Sequence, residues 1–189
     1  MESERECQRW TFAQLHRESV RASIALRNVI QKPLPAGGND PPVILTVLPR
    51  VPQWWFLYLG TIRIGTVFCP GPTQLSSTDI QYRLEASGAS VIITDAPNMW
   101  KVEEATRKGK VKNPVQKIVV GDSLGAEGWM EFKDLIDDVL DAEVLAFRGI
   151  DTKSDGLAQI FFTSGTTGYP KMVGHTHASY GAGHSITSL

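Results

Sequence analysis

The chain has 189 residues, 42% of them hydrophobic and 21% charged, which is ordinary globular usage. A single domain of this length buries roughly 70% of its unfolded surface. A formal net charge of -1 gives no electrostatic drive toward nucleic acid or acidic membranes. No apolar run approaches the roughly eighteen residues of a membrane span; the longest, Trp54 to Ile62, is broken by Gly60 and Thr61.

Cys7 and Cys69 stand far apart and match no metal or redox spacing, which points to a reducing compartment. The opening residues carry Glu2, Glu4 and Glu6, unlike an Arg-rich import presequence or an apolar secretory signal. A cytoplasmic protein, or a longer natural N-terminus, is expected.

In chain order, Thr11 with Gln14 reads as a capping box. Phe12, Leu15, Ser19, Ala22, Leu26 and Val29 then fall on one face of a helix that runs to about Val29. Lys32 to Pro42 holds four prolines and two glycines and reads as a loop. Val43 to Leu48 suits a buried parallel strand. Pro52 begins a helix to about Ile64, and Thr66 to Cys69 is a strand closed by Pro70-Gly71-Pro72. A helix from Thr78 to Ser87 ends at Gly88. Strands are expected at Ser90 to Thr94, Lys117 to Val120 and Ala158 to Thr163. Asn98 to Lys108 reads as a charged surface helix, and Glu131 to Asp141 as an acidic one. Strand and helix in turn predict an α/β fold, a mostly parallel sheet flanked by helices.

The last strand leads into Thr163-Ser164-Gly165-Thr166-Thr167-Gly168-Tyr169-Pro170-Lys171. Gly165 and Gly168 let the backbone turn sharply and approach a ligand. Successive N–H groups in such a turn form an anion-binding concavity, and the Ser and Thr hydroxyls add donors. Lys171 supplies a point charge, and Pro170 stiffens the exit. The pattern predicts a cradle for a triphosphate. It is not a Walker A loop, because counting from Gly165 puts Pro170 and Met172 where that motif needs Gly and Ser or Thr. Lys171 to Val173 reads as a returning strand, with the next helix from near Thr176. No G-x-G-x-x-G follows a strand, so a dinucleotide fold has no support.

TSGTTGYPK resembles the phosphate-binding loop of the adenylate-forming superfamily of acyl-CoA synthetases, luciferases and peptide-synthetase adenylation domains; Tyr169 occupies its freely variable position. LPRVPQWW (Leu48 to Trp55), GPTQLSSTDIQYRLEASGA (Gly71 to Ala89) and PKMVGHTHASYG (Pro170 to Gly181) are similar to medium-chain acyl-CoA synthetases. Lys32 to Pro42 departs from that pattern, which has a shorter turn there.

The resemblance implies that residues 1–189 form an incomplete first part of the large N-terminal AMP-binding domain, without the C-terminal lid domain. It implies a ligase of lipid metabolism that uses ATP, Mg2+, CoA and a fatty acid, and a mitochondrial matrix location. Thr163 to Lys171 would hold the β- and γ-phosphates. The catalytic Lys, the ribose-binding Asp and the Glu that helps hold Mg2+ would lie beyond this chain, so no catalytic and no metal-binding residue is assigned within it. The chain is expected to be inactive alone. The alternatives are a truncated non-catalytic form that keeps only the phosphate loop, and a general nucleotide-binding module. His175 and His177 are expected to pack or cap, and Trp54 and Trp55 to serve the core. The run Glu131, Asp134, Asp137, Asp138 and Asp141 is expected to be a solvated helix face.

Overall fold

The structure, a computed structural model, describes residues 9–30, 41–108, 115–164 and 168–187. Thr11 starts α1 (Phe12–Val29) by the expected reciprocal box: its Oγ1 accepts from Gln14 N at 3.2 Å, and Gln14 Oε1 accepts from Thr11 N at 2.8 Å. Of the expected Lys32 to Pro42 loop, residues 32–40 lie outside the described residues.

Strand β1 (Val43–Val47) is buried at every position, because helices cover both sides of a central parallel strand. Helix α2 (Pro52–Arg63) carries its proline in the first turn, where a missing N–H costs no helical bond. It packs so closely on α1 that a Cβ on Gly60 would meet Ser19 O and Ser23 N at 3.2 Å.

Strand β2 (Val67–Gly71) runs through Pro70 and Gly71, past the predicted stop at Cys69. Among the described residues, β1 is its only strand partner beyond Phe68, since β6 meets it at the single bridge Phe68↔Gln159. A proline is tolerated where one side of the ladder is free.

Helix α3 (Ser77–Ser87) begins one residue before the predicted start, because Ser76 forms a capping box with Asp79; Gly88 ends it at φ 65°. The Ser76 hydroxyl and N–H, at 2.7 and 3.0 Å from one Asp79 oxygen, hold that carboxyl below its usual range. A depressed folded-state pKa contributes stability above the unfolded value of about 3.9, and that stability is lost as pH falls through the folded pKa. Asp79→Asn is therefore expected to lower the melting temperature near neutrality, where the ionised carboxyl contributes, and to flatten the acid limb below about pH 4, so that variant and unmodified chain converge at low pH. An unchanged acid limb would show that the cap carries no pH-linked stability.

Strand β3 (Val91–Asp95), a 3-10 turn (Ala96–Asn98), α4 (Met99–Lys108) and β4 (Gln116–Val120) follow close to expectation. The next stretch corrects it. The predicted helix from Glu131 to Asp141 is three elements: β5 (Trp129–Glu131), α5 (Phe132–Asp137) and α6 (Asp141–Ala146). Glu131 ends a strand because its carboxylate accepts from Ser123 N and Oγ at 2.8 and 2.7 Å. Asp141 joins Arg17 and Arg21 of α1, each at 2.7 Å. Asp137 pairs with Lys133. Asp134, Asp137, Asp138 and Asp141 are exposed, as expected of a solvated run, but they and Glu131 are spread over β5, α5, the turn after it and α6 rather than one helix face.

The chain closes with β6 (Leu157–Thr163), β7 (Lys171–Thr176) and α7 (His177–Thr187). The sheet order is β5-β4-β3-β1-β2-β6-β7; only the last pair is antiparallel. Alternate strand residues separate two cores. Ile44, Phe68, Ile93 and Ile118 pack with α1, α2 and α5, while Leu45, Val47, Cys69 and Ile92 pack with α3 and α4. Cys69 is fully buried and its thiol is pushed up to about 12, which leaves it inert rather than nucleophilic.

Candidate phosphate-binding site

Strands β6 and β7 form a hairpin-like pair whose register runs from Leu157↔Thr176 to Thr163↔Lys171. This brings Thr163 and Lys171 face to face at the carboxyl end of β6, with the connecting loop beyond them. Thr163 Oγ1 donates to Lys171 O at 3.4 Å, a long contact that closes the mouth of the loop. Parallel pairing of β6 with β2, and of β2 with β1, puts the loop on the same edge as the turns that follow β1 and β2. Open α/β sheets bind ligands in the crevice at that edge.

Of the residues singled out in the sequence, Thr163, Ser164, Gly168, Tyr169 and Lys171 are exposed there and Pro170 is half-buried, whereas Gly165, Thr166 and Thr167 lie outside the described residues. Gly168 adopts φ 121° with nothing within 4 Å of where a Cβ would stand. Only glycine adopts that backbone readily, and the open space lets another molecule approach the main chain. The exposed Lys171 ammonium has no hydrogen-bond or ion-pair partner among the described residues. The arrangement presents hydroxyls and an exposed ammonium at one rim, which suits an anion rather than a cation.

His175 stacks edge-on against Phe161 at 5.5 Å, and His177, whose pKa is lowered by burial, donates its backbone N–H to Gly156 O at 3.1 Å. Both pack against the β6–β7 unit, as expected. Trp54 fits its expected core role, at 5.2 Å from Phe68, but Trp55 is 55% exposed and lines a cleft of about 730 Å3 with Trp10, Leu15 and Leu48.

Sequence reasoning assigned no part in the site to Tyr82 and Arg83 of α3. Tyr82 Oη donates to Pro170 O at 3.0 Å, its ring stacks on Tyr169 at 4.7 Å and 21°, and it meets Phe162 edge-on at 5.9 Å. The Arg83 guanidinium sits 4.9 Å over the Phe162 ring. No local pattern signals a contact 88 residues away along the chain.

A mostly parallel sheet between helices, with a strand–loop–strand turn at its carboxyl edge, defines the N-terminal fold of adenylate-forming enzymes. The chain belongs to the AMP-binding enzyme family, which it matches over residues 2–188. It is 41% identical over 143 residues to mitochondrial acyl-coenzyme A synthetase ACSM3 of Mus musculus, covering 76% of this chain and 23% of that protein. It is 36% identical over 178 residues to human ACSM3, covering 94% of this chain and 28% of that protein. The chain thus spans about a quarter of the length of these curated relatives. Among solved structures, an anthranilate CoA ligase, AuaEII, in complex with anthranoyl-AMP, superposes with TM-score 0.80 at 19% identity, covering 95% of this chain and 32% of that one; it supports the fold alone. Acyl-CoA synthetase of Brucella canis gives TM-score 0.71 at 26% identity over 90% of this chain and 28% of that one.

Proposed function

We propose that this chain carries the ATP phosphate clamp of a medium-chain acyl-CoA ligase. The carrying observation is the loop between Thr163 and Lys171, placed at the carboxyl edge of the sheet in a chain similar to acyl-coenzyme A synthetases. The full reaction joins a fatty acid and CoA at the expense of ATP. The carboxylate attacks the α-phosphorus, forming acyl-AMP and releasing diphosphate. The CoA thiol then attacks the acyl carbon and expels AMP.

In this scheme the loop acts on the leaving group. Hydroxyls of Thr163, Ser164, Thr166 and Thr167, together with loop N–H groups, hold the β- and γ-phosphates, and Lys171 stabilises the charge that builds on diphosphate as it departs. Pro170 limits the loop's exit to one direction. Nothing in the loop is a nucleophile; the two substrates supply those. Thr163 to Lys171 contain no carboxylate, so Mg2+ would reach this loop on the phosphates of ATP, whose charge it would offset. The mitochondrial relatives support a mitochondrial matrix location and a role in lipid metabolism.

The test uses amide exchange on the purified 189-residue chain. MgATP and inorganic tripolyphosphate are both expected to slow exchange across Thr163 to Met172, and AMP is expected to leave it unchanged. Equal protection by AMP would overturn the phosphate assignment, as would no protection by either polyphosphate. Octanoyl-CoA formation by a polypeptide of family length that begins with these residues, and not by the 189-residue chain, would separate the ligase from a general nucleotide-binding module. Absence of activity in the longer polypeptide would favour the non-catalytic reading.

A further inference from the structure

We propose that Tyr82 is the positioning residue of the phosphate loop, fixing the return limb Tyr169–Lys171 against α3; its consequence for ligand binding rests on the phosphate reading above. Proline has no backbone N–H, so the Pro170 carbonyl is that residue's one polar backbone group. Tyr82 Oη donates to it at 3.0 Å. That carbonyl lies in the same rigid peptide plane as the Lys171 N–H, so orienting one end orients the start of β7. Pro170 restricts φ and Tyr82 fixes the plane that follows. Together they set where the Lys171 side chain leaves the backbone.

The ring contact adds a second constraint. Tyr169 is 69% exposed yet lies 4.7 Å from the Tyr82 ring at 21°, within the range of offset aromatic stacking. It occupies the position that the loop motif leaves free, so the stack is a feature of this chain and not a demand of the motif. The opposite limb is held by the same helix. Arg83, only 7% exposed, lies 4.9 Å over Phe162, one residue before Thr163. The one hydrogen bond of its guanidinium among the described residues runs from Nη1 to Asp79 O at 3.3 Å, and Nε is buried without a partner there. A ring face therefore provides much of its cationic contact.

Helix α3 is a firm base for both contacts. Ile80 and Leu84, at 0% and 1% exposure, anchor it in the sheet core, and the Ser76–Asp79 box fixes its start. A site held by side chains on a rigid element keeps its geometry better than a loop left to itself.

Two readouts on the 189-residue chain test this: amide exchange at Gly168 to Met172 in the free protein, and affinity for inorganic tripolyphosphate. Tyr82→Phe keeps the ring and loses the hydroxyl. It is expected to speed exchange there and weaken affinity by roughly two- to tenfold, the span of one neutral hydrogen bond, with the melting temperature and exchange elsewhere unchanged. Tyr82→Ala should exceed it. Tyr169→Ala removes the stack from the exposed side, where folding is not at risk, and should also speed exchange. Exchange unchanged in both Tyr82→Phe and Tyr169→Ala would overturn the brace. Faster exchange with undiminished tripolyphosphate affinity would overturn the positioning role. If the unmodified chain binds no tripolyphosphate, the phosphate reading fails by itself, and faster exchange in the variants would still support Tyr82 as the brace of this limb.

Discussion

Replacing Phe68 by Ala is expected to lower the unfolding free energy by about 3–5 kcal/mol, the usual loss for a fully buried aromatic ring. Phe68 is 1% exposed on β2, between β1 and β6, with Trp54 at 5.2 Å and Tyr58 at 5.4 Å, both edge-on. Removing the ring strips dispersion contacts from both helix α2 aromatics and leaves a void in a layer built of large side chains. A domain has about 5–15 kcal/mol in total, so the variant could be largely unfolded. Phe68→Leu then serves as the measurable substitute, with a smaller loss. The check is a denaturant midpoint at constant m-value. A loss below about 1 kcal/mol for the Ala variant would place the ring outside a close-packed core.

Much of this fold was legible because its signals are local. Thr11 and Gln14 announce α1, Pro52 announces α2 and Gly88 ends α3, each by a chemistry that needs no distant partner. Uniformly buried runs such as Val43–Val47 announce a parallel sheet with helices on both sides. What was misread depends on contacts between separated segments. Glu131 leaves the helical pattern because β5 finds β4 and because Ser123 takes its carboxylate. Asp141 starts a new helix while α1 presents Arg17 and Arg21 to it. Pro70 stays in a strand because β6 leaves its outer side free. The strand–loop–strand setting of Thr163–Lys171 was legible from the apolar run before it and the glycines and proline within it, while its reading as a phosphate cradle is the proposal made above. Its brace was not, because Tyr82 reads as an ordinary helix residue until α3 is laid beside β6 and β7.

Lys171→Ala is expected to weaken tripolyphosphate binding by about 10- to 100-fold, since a hydrogen bond to a charged group contributes roughly 1.5–3 kcal/mol. Its melting temperature should not change, because the ammonium is exposed and has no hydrogen-bond or ion-pair partner among the described residues. That separates a ligand contact from a structural one. Lys171→Arg keeps the charge but replaces a compact ammonium with a longer planar fork, so part of the affinity should return. Salt gives a further check. An exposed cation is screened over about 10 Å at 0.1 M ionic strength, so the gap between Lys171 and the Ala variant should narrow as salt rises. An Ala variant that binds tripolyphosphate as tightly as the unmodified chain at low salt would remove Lys171 from the site. The loop hydroxyls and N–H groups would then have to hold the phosphates without a fixed cation. If instead the Ala and Arg variants lose affinity equally, position rather than charge is limiting, and the geometry that Tyr82 and Pro170 impose on this residue becomes the controlling factor.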